Sequence, residues 1–183
     1  INVVSKSAKE TQGIYASGAA GTLLDEFGEI RYGGRIDKNI FFRVYGQEFK
    51  QKSAVLSGIA ADTINNAWKS NQRGFRMDAF PTDKTSITLQ GDSYDGDANS
   101  ATSRTVTDGR NILARATHNF SDKSDLKVQL YYDHAFRESP NGASKFRYEI
   151  DTYDTDFHHS FPIANIHDVI WGSDSRFQQE RKQ

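Results

Sequence analysis

The chain of 183 residues carries 23 Lys and Arg against 24 Asp and Glu, and its net charge of −1 gives no global field to attract nucleic acid or anionic lipid. It has no cysteine, which excludes disulfides, thiolate metal sites and thiol nucleophiles. A hydrophobic share of 36%, with 14 glycines, 12 Phe, 8 Tyr and 2 Trp, suits long β-strands better than helices, and no run approaches the ~20 apolar residues of a transmembrane helix.

Taken in chain order, the first residues show no basic stretch followed by an apolar run, so no signal peptide is read there. A start on Ile1 is expected of a processed or truncated chain. Gly18-Ala19-Ala20-Gly21 reads as a glycine-rich strand suited to close packing, and a nucleotide loop is a poor fit because no Lys follows. Beyond it, runs of period two come in pairs: 29–35 with 39–49, 74–80 with 85–94, 110–120 with 126–134, and 147–161 with 167–172. Each pair brackets a short turn, at Asp37-Lys38, Asp83-Lys84, Asp122-Lys123 and residues 162–167, repeating at intervals of about 40 residues. The other ends are joined by polar segments 50–73, 95–109 and 137–144. In the first of these, Ile64, Ala67 and Trp68 at helical spacing behind Asp62 or Thr63 predict a short loop helix over 62–70.

A propeller blade would place four shorter strands in the same period, so the spacing predicts an all-β antiparallel up-and-down meander of about nine long strands. Short turns on one side and long loops on the other, with strands of ~10 residues, are the pattern of a transmembrane β-barrel. Side-chain parity agrees. Phe42, Val44 and Gly46 alternate with Arg43, Tyr45 and Gln47; Phe75, Met77 and Ala79 with Arg76 and Asp78; Ile87, Leu89 and Gly91 with Thr88, Gln90 and Asp92. Leu126, Val128, Leu130 and Tyr132 likewise alternate with Lys127, Gln129, Tyr131 and Asp133. Phe41, Phe42, Phe80, Phe120 and Phe161 sit beside the short turns, where an aromatic girdle would lie. The alternative is a soluble all-β ligand-binding module, which would bury Ile87, Leu89, Leu126, Val128 and Leu130 in one closed core.

Candidate ligand contacts follow from the polar parity: Arg43, Arg76, Asp78, Gln90, Arg115 and Tyr131 on the lumen side, and Trp68 and Arg104 on the loops. Asp95, Asp97 and Asn99 have the D-x-D-x-N spacing that can wrap oxygens around calcium, although the distal Glu of a full calcium loop is missing. Asp154, Asp156 and His158 share one strand face, which suits a metal less well than a lumen network bonded to Arg and Gln. No nucleophile elbow, phosphate loop or isolated carboxylate pair points to catalysis, and no cofactor motif is present.

The N-terminus, Ile1-Asn2-Val3-Val4-Ser5-Lys6-Ser7-Ala8-Lys9-Glu10-Thr11-Gln12-Gly13, resembles the end of the plug and the start of the barrel in TonB-dependent outer-membrane receptors. Arg31-Tyr32-Gly33-Gly34, Arg43-Val44-Tyr45-Gly46, Gly74-Phe75-Arg76-Met77-Asp78, Leu89-Gln90-Gly91-Asp92 and Thr152-Tyr153-Asp154-Thr155-Asp156-Phe157 resemble first barrel strands of the same family, in the same order. The resemblance implies residues 1–12 as the end of a plug and 13–183 as the N-terminal part of a ~22-strand barrel in the outer membrane of a Gram-negative bacterium. It also implies uptake of a scarce ligand such as a ferric siderophore, haem or cobalamin, driven by TonB through a box that these residues lack. On this reading the chain is a fragment in contact with outer-membrane lipid, whose open strand edges invite self-association.

Overall fold

The computed structural model describes residues 5–54, 65–100, 103–141, 144–164 and 166–182. Nine strands form one sheet in sequence order, each antiparallel to the next. They are β1 (Gly13–Ala19), β2 (Leu24–Asp37), β3 (Ile40–Gln51), β4 (Trp68–Thr82), β5 (Thr85–Asn99), β6 (Arg104–Ser121), β7 (Ser124–Asn141), β8 (Ser144–Ile163) and β9 (His167–Lys182).

The Asp-Lys turns close as expected. Lys38 N–H donates to Asp37 Oδ1 at 2.7 Å, Lys84 N–H to Thr82 Oγ1 and Lys123 N–H to Ser121 Oγ, both at 3.3 Å. In each case the polar residue before the turn supplies the acceptor. Register shifts immediately precede the first three turns, between Arg35 and Asp37, Ala79 and Thr82, and Asn119 and Ser121.

At the other end the strands run further than alternation predicts. β5 continues to Asn99 and β6 begins at Arg104, while β7 reaches Asn141 and β8 starts at Ser144, so most of 95–109 and 137–144 is strand rather than loop. The physical reason is that both faces are polar there, which removes the hydrophobic period without removing the hydrogen-bond ladder. The 62–70 helix is also corrected at its C-terminal end. Residues 62–64 lie outside the described residues, but Trp68 to Ser70 open β4, where Trp68 pairs with Gln51 and its ring stacks on Phe49 at 4.4 Å.

Register places one residue from every strand in line. Ile14, Tyr32, Val44, Phe75, Gly91, Ile112, Tyr132, Tyr153 and Phe177 form a row across all nine strands on one face. Gly13, Gly33, Arg43, Arg76, Gln90, Leu113, Tyr131, Asp154 and Arg176 form the adjacent row on the other face. At this level the sheet is thus apolar on its outer side and polar on its inner side, as the parity predicts.

A soluble module would bury the apolar face. Here Ile87 is 40% and Leu130 53% exposed, and Ala8 is the single buried hydrophobic residue among those described. Among the described residues no second layer covers the outer rows. Their apolar atoms are the kind of surface that a bilayer, rather than water, covers favourably.

Candidate functional site

The inner face is partly covered, and what covers it is the chain's own segment 5–12. This segment is organised by a reciprocal pair, Ser7 and Glu10, at the Ser-x-x-Glu spacing of a capping box. Ser7 N–H donates to Glu10 Oε2 at 2.9 Å, and Glu10 N–H donates to Ser7 Oγ at 3.3 Å. The Ser7 hydroxyl and amide hold the Glu10 carboxyl below its ordinary pKa. Thr11 and Gln12 complete the turn by donating to the carbonyls of Ser7 and Ala8 at 2.9 and 2.6 Å.

Three strands, β2 to β4, meet this turn, and β5 braces the β4 side chains that hold it. Asp78 on β4 is 3% exposed and accepts from Ala8 N–H at 2.6 Å, from Arg76 Nε and Nη2 at 2.8 and 3.0 Å, and from Thr88 Oγ1 on β5 at 2.7 Å. All its lone pairs are used, and its charge is met by the Arg76 guanidinium, so burial of the carboxylate is compensated. Arg76 Nη1 reaches Ser5 Oγ at 2.9 Å and Gln90 Oε1 at 3.1 Å, and Arg43 Nη1 on β3 donates to the Lys6 carbonyl at 2.7 Å. The Lys9 ammonium stands over the Phe41 and Phe80 rings at 5.7 and 5.8 Å. On β2, a Cβ at Gly33 would overlap the Thr11 carbonyl, so only glycine lets the segment cross the wall there.

Phe41 and Phe80 therefore leave the predicted girdle, because they face inward beneath Lys9. Phe42 keeps its outward place, packed edge-on against Tyr32 at 5.8 Å. Phe120 remains with His118 and His159, and Phe161 with His159. The close packing expected at Gly18 and Gly21 is absent, since a side chain there meets nothing nearer than 3.5 Å; Gly33 plays that part.

Four of the eight predicted ligand contacts, Arg43, Arg76, Asp78 and Gln90, thus lie within one network around the docked segment. The others are spread along the wall. Arg115 donates twice to Gln129 Oε1, at 2.9 and 2.6 Å, and Tyr131 O–H donates to Asp133 Oδ1 at 3.1 Å. Trp68 faces inward from β4, far along the strand from Asp78, with its Nε1 on Gln51 Oε1 at 3.0 Å. Arg104 is separated from the rest. It starts β6 in register with Asn99, on the outer face, and pairs with Asp97 at 3.0 Å.

Asp95, Asp97 and Asn99 lie along β5 on the same outer face rather than in a loop. Asp97 is paired with Lys69 and Arg104, and Asp95 accepts from Asn71 at 2.9 Å. Two cations already neutralise Asp97, and an extended strand points these side chains in a row instead of around a centre. Among the described residues no group of three His, Asp or Glu is arranged to hold a metal. The inward row of Asp154, Asp156 and His158 is tied into wall contacts: Arg176 reaches Asp154 at 2.8 Å, and His158 Nε2 lies 3.7 Å from Asp125.

Parity puts Tyr45, Gln47 and Asp92 on the inner wall but does not show that they join in one central cluster. Tyr45 on β3 hydrogen-bonds Asp92 two strands away and accepts from Gln72 Nε2 at 3.1 Å, and Gln72 Oε1 in turn accepts from Gln47 at 2.8 Å. Tyr45 crosses the intervening strand because Gly74 has no side chain; a Cβ there would stand 2.7 Å from the ring. Tyr and Gly in register is a signal that only the strand pairing reveals.

A scan against protein-family models finds no match, and neither does a search of curated proteins. Among solved structures the chain is similar to copper transporter OprC, with a TM-score of 0.70 and 18% identity. The nine strands have the fold of a stretch of outer-membrane β-barrel wall. The match covers 92% of this chain and 28% of OprC, so the chain spans little more than a quarter of that protein's length.

Proposed function

We propose that this chain forms part of a TonB-dependent outer-membrane receptor of a Gram-negative bacterium, taking up a scarce ligand through the lumen its inner face lines. Residues 1–12 are the end of a plug domain and 13–183 the first part of the barrel. The observation that carries this reading is the division of labour between the two faces. One is apolar across nine strands and uncovered, and the other is polar and holds the segment 5–12 in a buried network around Asp78. A soluble module has no use for the first, and an open pore has no use for the second.

The wall beyond the docked segment supplies ligand contacts of mixed character. Tyr131, Arg115 and Trp68 offer hydroxyl, guanidinium and an aromatic face, which suit an oxygen-rich chelate such as a ferric siderophore, or the carboxylates and ring of haem or cobalamin. Energy coupling through TonB belongs to parts of the receptor outside these residues. Uptake by cells that lack their own receptors and express the full-length gene tests the reading. A panel of ferric siderophores, haem, cobalamin and copper ions, the last because the structural neighbour is a copper transporter, should include one substrate whose accumulation needs the gene and an energised inner membrane. Recovery of the full-length protein in the soluble fraction, with no uptake of any of these, would defeat it.

A further inference from the structure

The outer face carries a feature that transport through the lumen does not use. Immediately beyond the nine-strand apolar row, away from the short turns, lies the row Gly46, Arg73, Ser93, Arg110, His134 and Asp151. Further out, cations on this face are neutralised: Lys50 by Glu26 and Glu48, Lys69 and Arg104 by Asp97, Lys145 and Arg147 by Glu138, and Arg181 by Glu149. His134 in the row itself pairs with Asp151 at 2.9 Å. Arg73 and Arg110 differ. Both are exposed, and among the described residues neither forms an ion pair. Arg73 Nε donates to Ser93 Oγ at 3.2 Å, and Arg110 contacts the Tyr132 hydroxyl.

Neighbouring strands stand ~4.8 Å apart, so the two arginines are rooted ~10 Å apart on either side of the Ser93 hydroxyl. On the apolar side, Leu89, Ile112, Ala114, Leu130 and Tyr153 enclose a shallow hollow of about 290 Å³. On the aqueous side, Asp95 and Asp108 face each other one row further out. An anion is therefore favoured at the level of the arginines and disfavoured beyond it.

We propose that Arg73, Ser93 and Arg110 bind the anionic phosphate headgroup of a membrane lipid whose acyl chain occupies the hollow below. The inference rests on the membrane reading above. Two guanidinium groups at the rim of an apolar surface lack the counter-ion that every other cation of this face beyond the apolar rows possesses, and the planar fork of arginine matches phosphate oxygens. The apolar row runs from Ile14 on β1 to Phe177 on β9 instead of ending in a bounded patch. That continuity fits a sheath of lipid better than a protein partner.

The test uses the full-length protein in an uncharged detergent, titrated with dimyristoyl phosphatidic acid or dimyristoyl phosphatidylcholine and followed by native mass spectrometry. Phosphatidic acid should bind at lower concentration than phosphatidylcholine. The double variant R73S/R110S should raise its half-saturation about tenfold, as loss of a charged hydrogen bond predicts. Arg147→Ser, which removes an exposed but ion-paired cation, should leave it unchanged. Heat-dependent electrophoretic mobility reports whether each variant is folded. If the double variant is not, Arg73→Gln alone carries the test with an expected loss of about threefold. Equal binding of the two lipids, or undiminished binding by the folded variants, overturns the site while leaving the barrel intact. A full-length protein that is monodisperse and folded without detergent overturns the membrane reading, and the lipid site with it.

Discussion

Replacing Asp78 by Ala removes the acceptor on which the docked segment depends. The Ala8 N–H, on a residue with no exposed surface, loses its 2.6 Å partner, and the Arg76 guanidinium loses a two-point contact at 2.8 and 3.0 Å. A buried donor left unsatisfied costs about 1–3 kcal/mol, and a hydrogen bond to a charged group contributes about 1.5–3 kcal/mol. Arg76 still reaches Gln90 and is partly solvated, so only the Ala8 share falls on segment docking in full. A loss of about 3 kcal/mol in docking free energy is expected, a factor of roughly 100 in the docked population relative to the released one. Hydrogen exchange on the full-length protein in detergent reads this directly, as about 100-fold faster exchange at the Ala8 amide with the β4–β5 ladder still protected. Asp78→Asn should lie between, because its amide oxygen can take the place of Oδ2, which accepts from Ala8 N–H and Arg76 Nε, while its NH2 cannot accept from Arg76 Nη2 and Thr88 as Oδ1 does. Unchanged protection at Ala8 in a folded Asp78→Ala protein would refute the argument that this carboxylate holds the segment.

Three further outcomes follow from the same geometry. Gly33→Ala should expel the segment near Thr11, because its methyl overlaps the Thr11 carbonyl; proteolysis within 5–12 should accelerate while β2 and β3 stay protected. Glu10 has a lowered pKa, so its contribution to the Ser7 turn is fully present above the unfolded-state value of about 4.3 and is lost as pH falls through the lower folded value. The protection factor at the Ser7 amide, which corrects for the intrinsic pH dependence of exchange, should therefore fall on acidification below about pH 4, and Glu10→Gln should abolish that fall. Leu130→Arg puts a charge in the middle of the outer rows and should cost about 2–4 kcal/mol in folding into lipid vesicles, read by denaturant titration; no cost would mean that this face does not meet hydrocarbon.

Parity and turn chemistry were enough to foresee the meander. Leu89 beside Gln90, or Val128 beside Gln129, assigns faces because successive side chains on a strand point to opposite sides, and that rule needs no knowledge of the neighbour. The Asp-Lys turns at 37, 83 and 122 were legible for the same reason, since their acceptor lies within one or two residues of the donor. Strand ends were not legible at 95–99 and 104–109, where both faces are polar and the backbone ladder alone sustains the strand. The Ser7–Glu10 box could have been found from its spacing.

Asp78 marks the boundary between the two kinds of knowledge. Its sequence context shows an inward-facing carboxylate much like Asp92 or Asp133. What sets it apart is Ala8, 70 positions away, together with Arg76 and Thr88, and these converge only when β3, β4 and β5 are in register beneath the segment. Tyr45 and Gly74 tell the same story, since the glycine is informative only once the ring is known to lie across it. Local alternation and turn acceptors, which depend on near neighbours, determined the sheet and its two faces. The docked segment and its grip depend on contacts between distant positions, whose cost in chain entropy is met only when the whole sheet has formed, and so only the tertiary structure decided them.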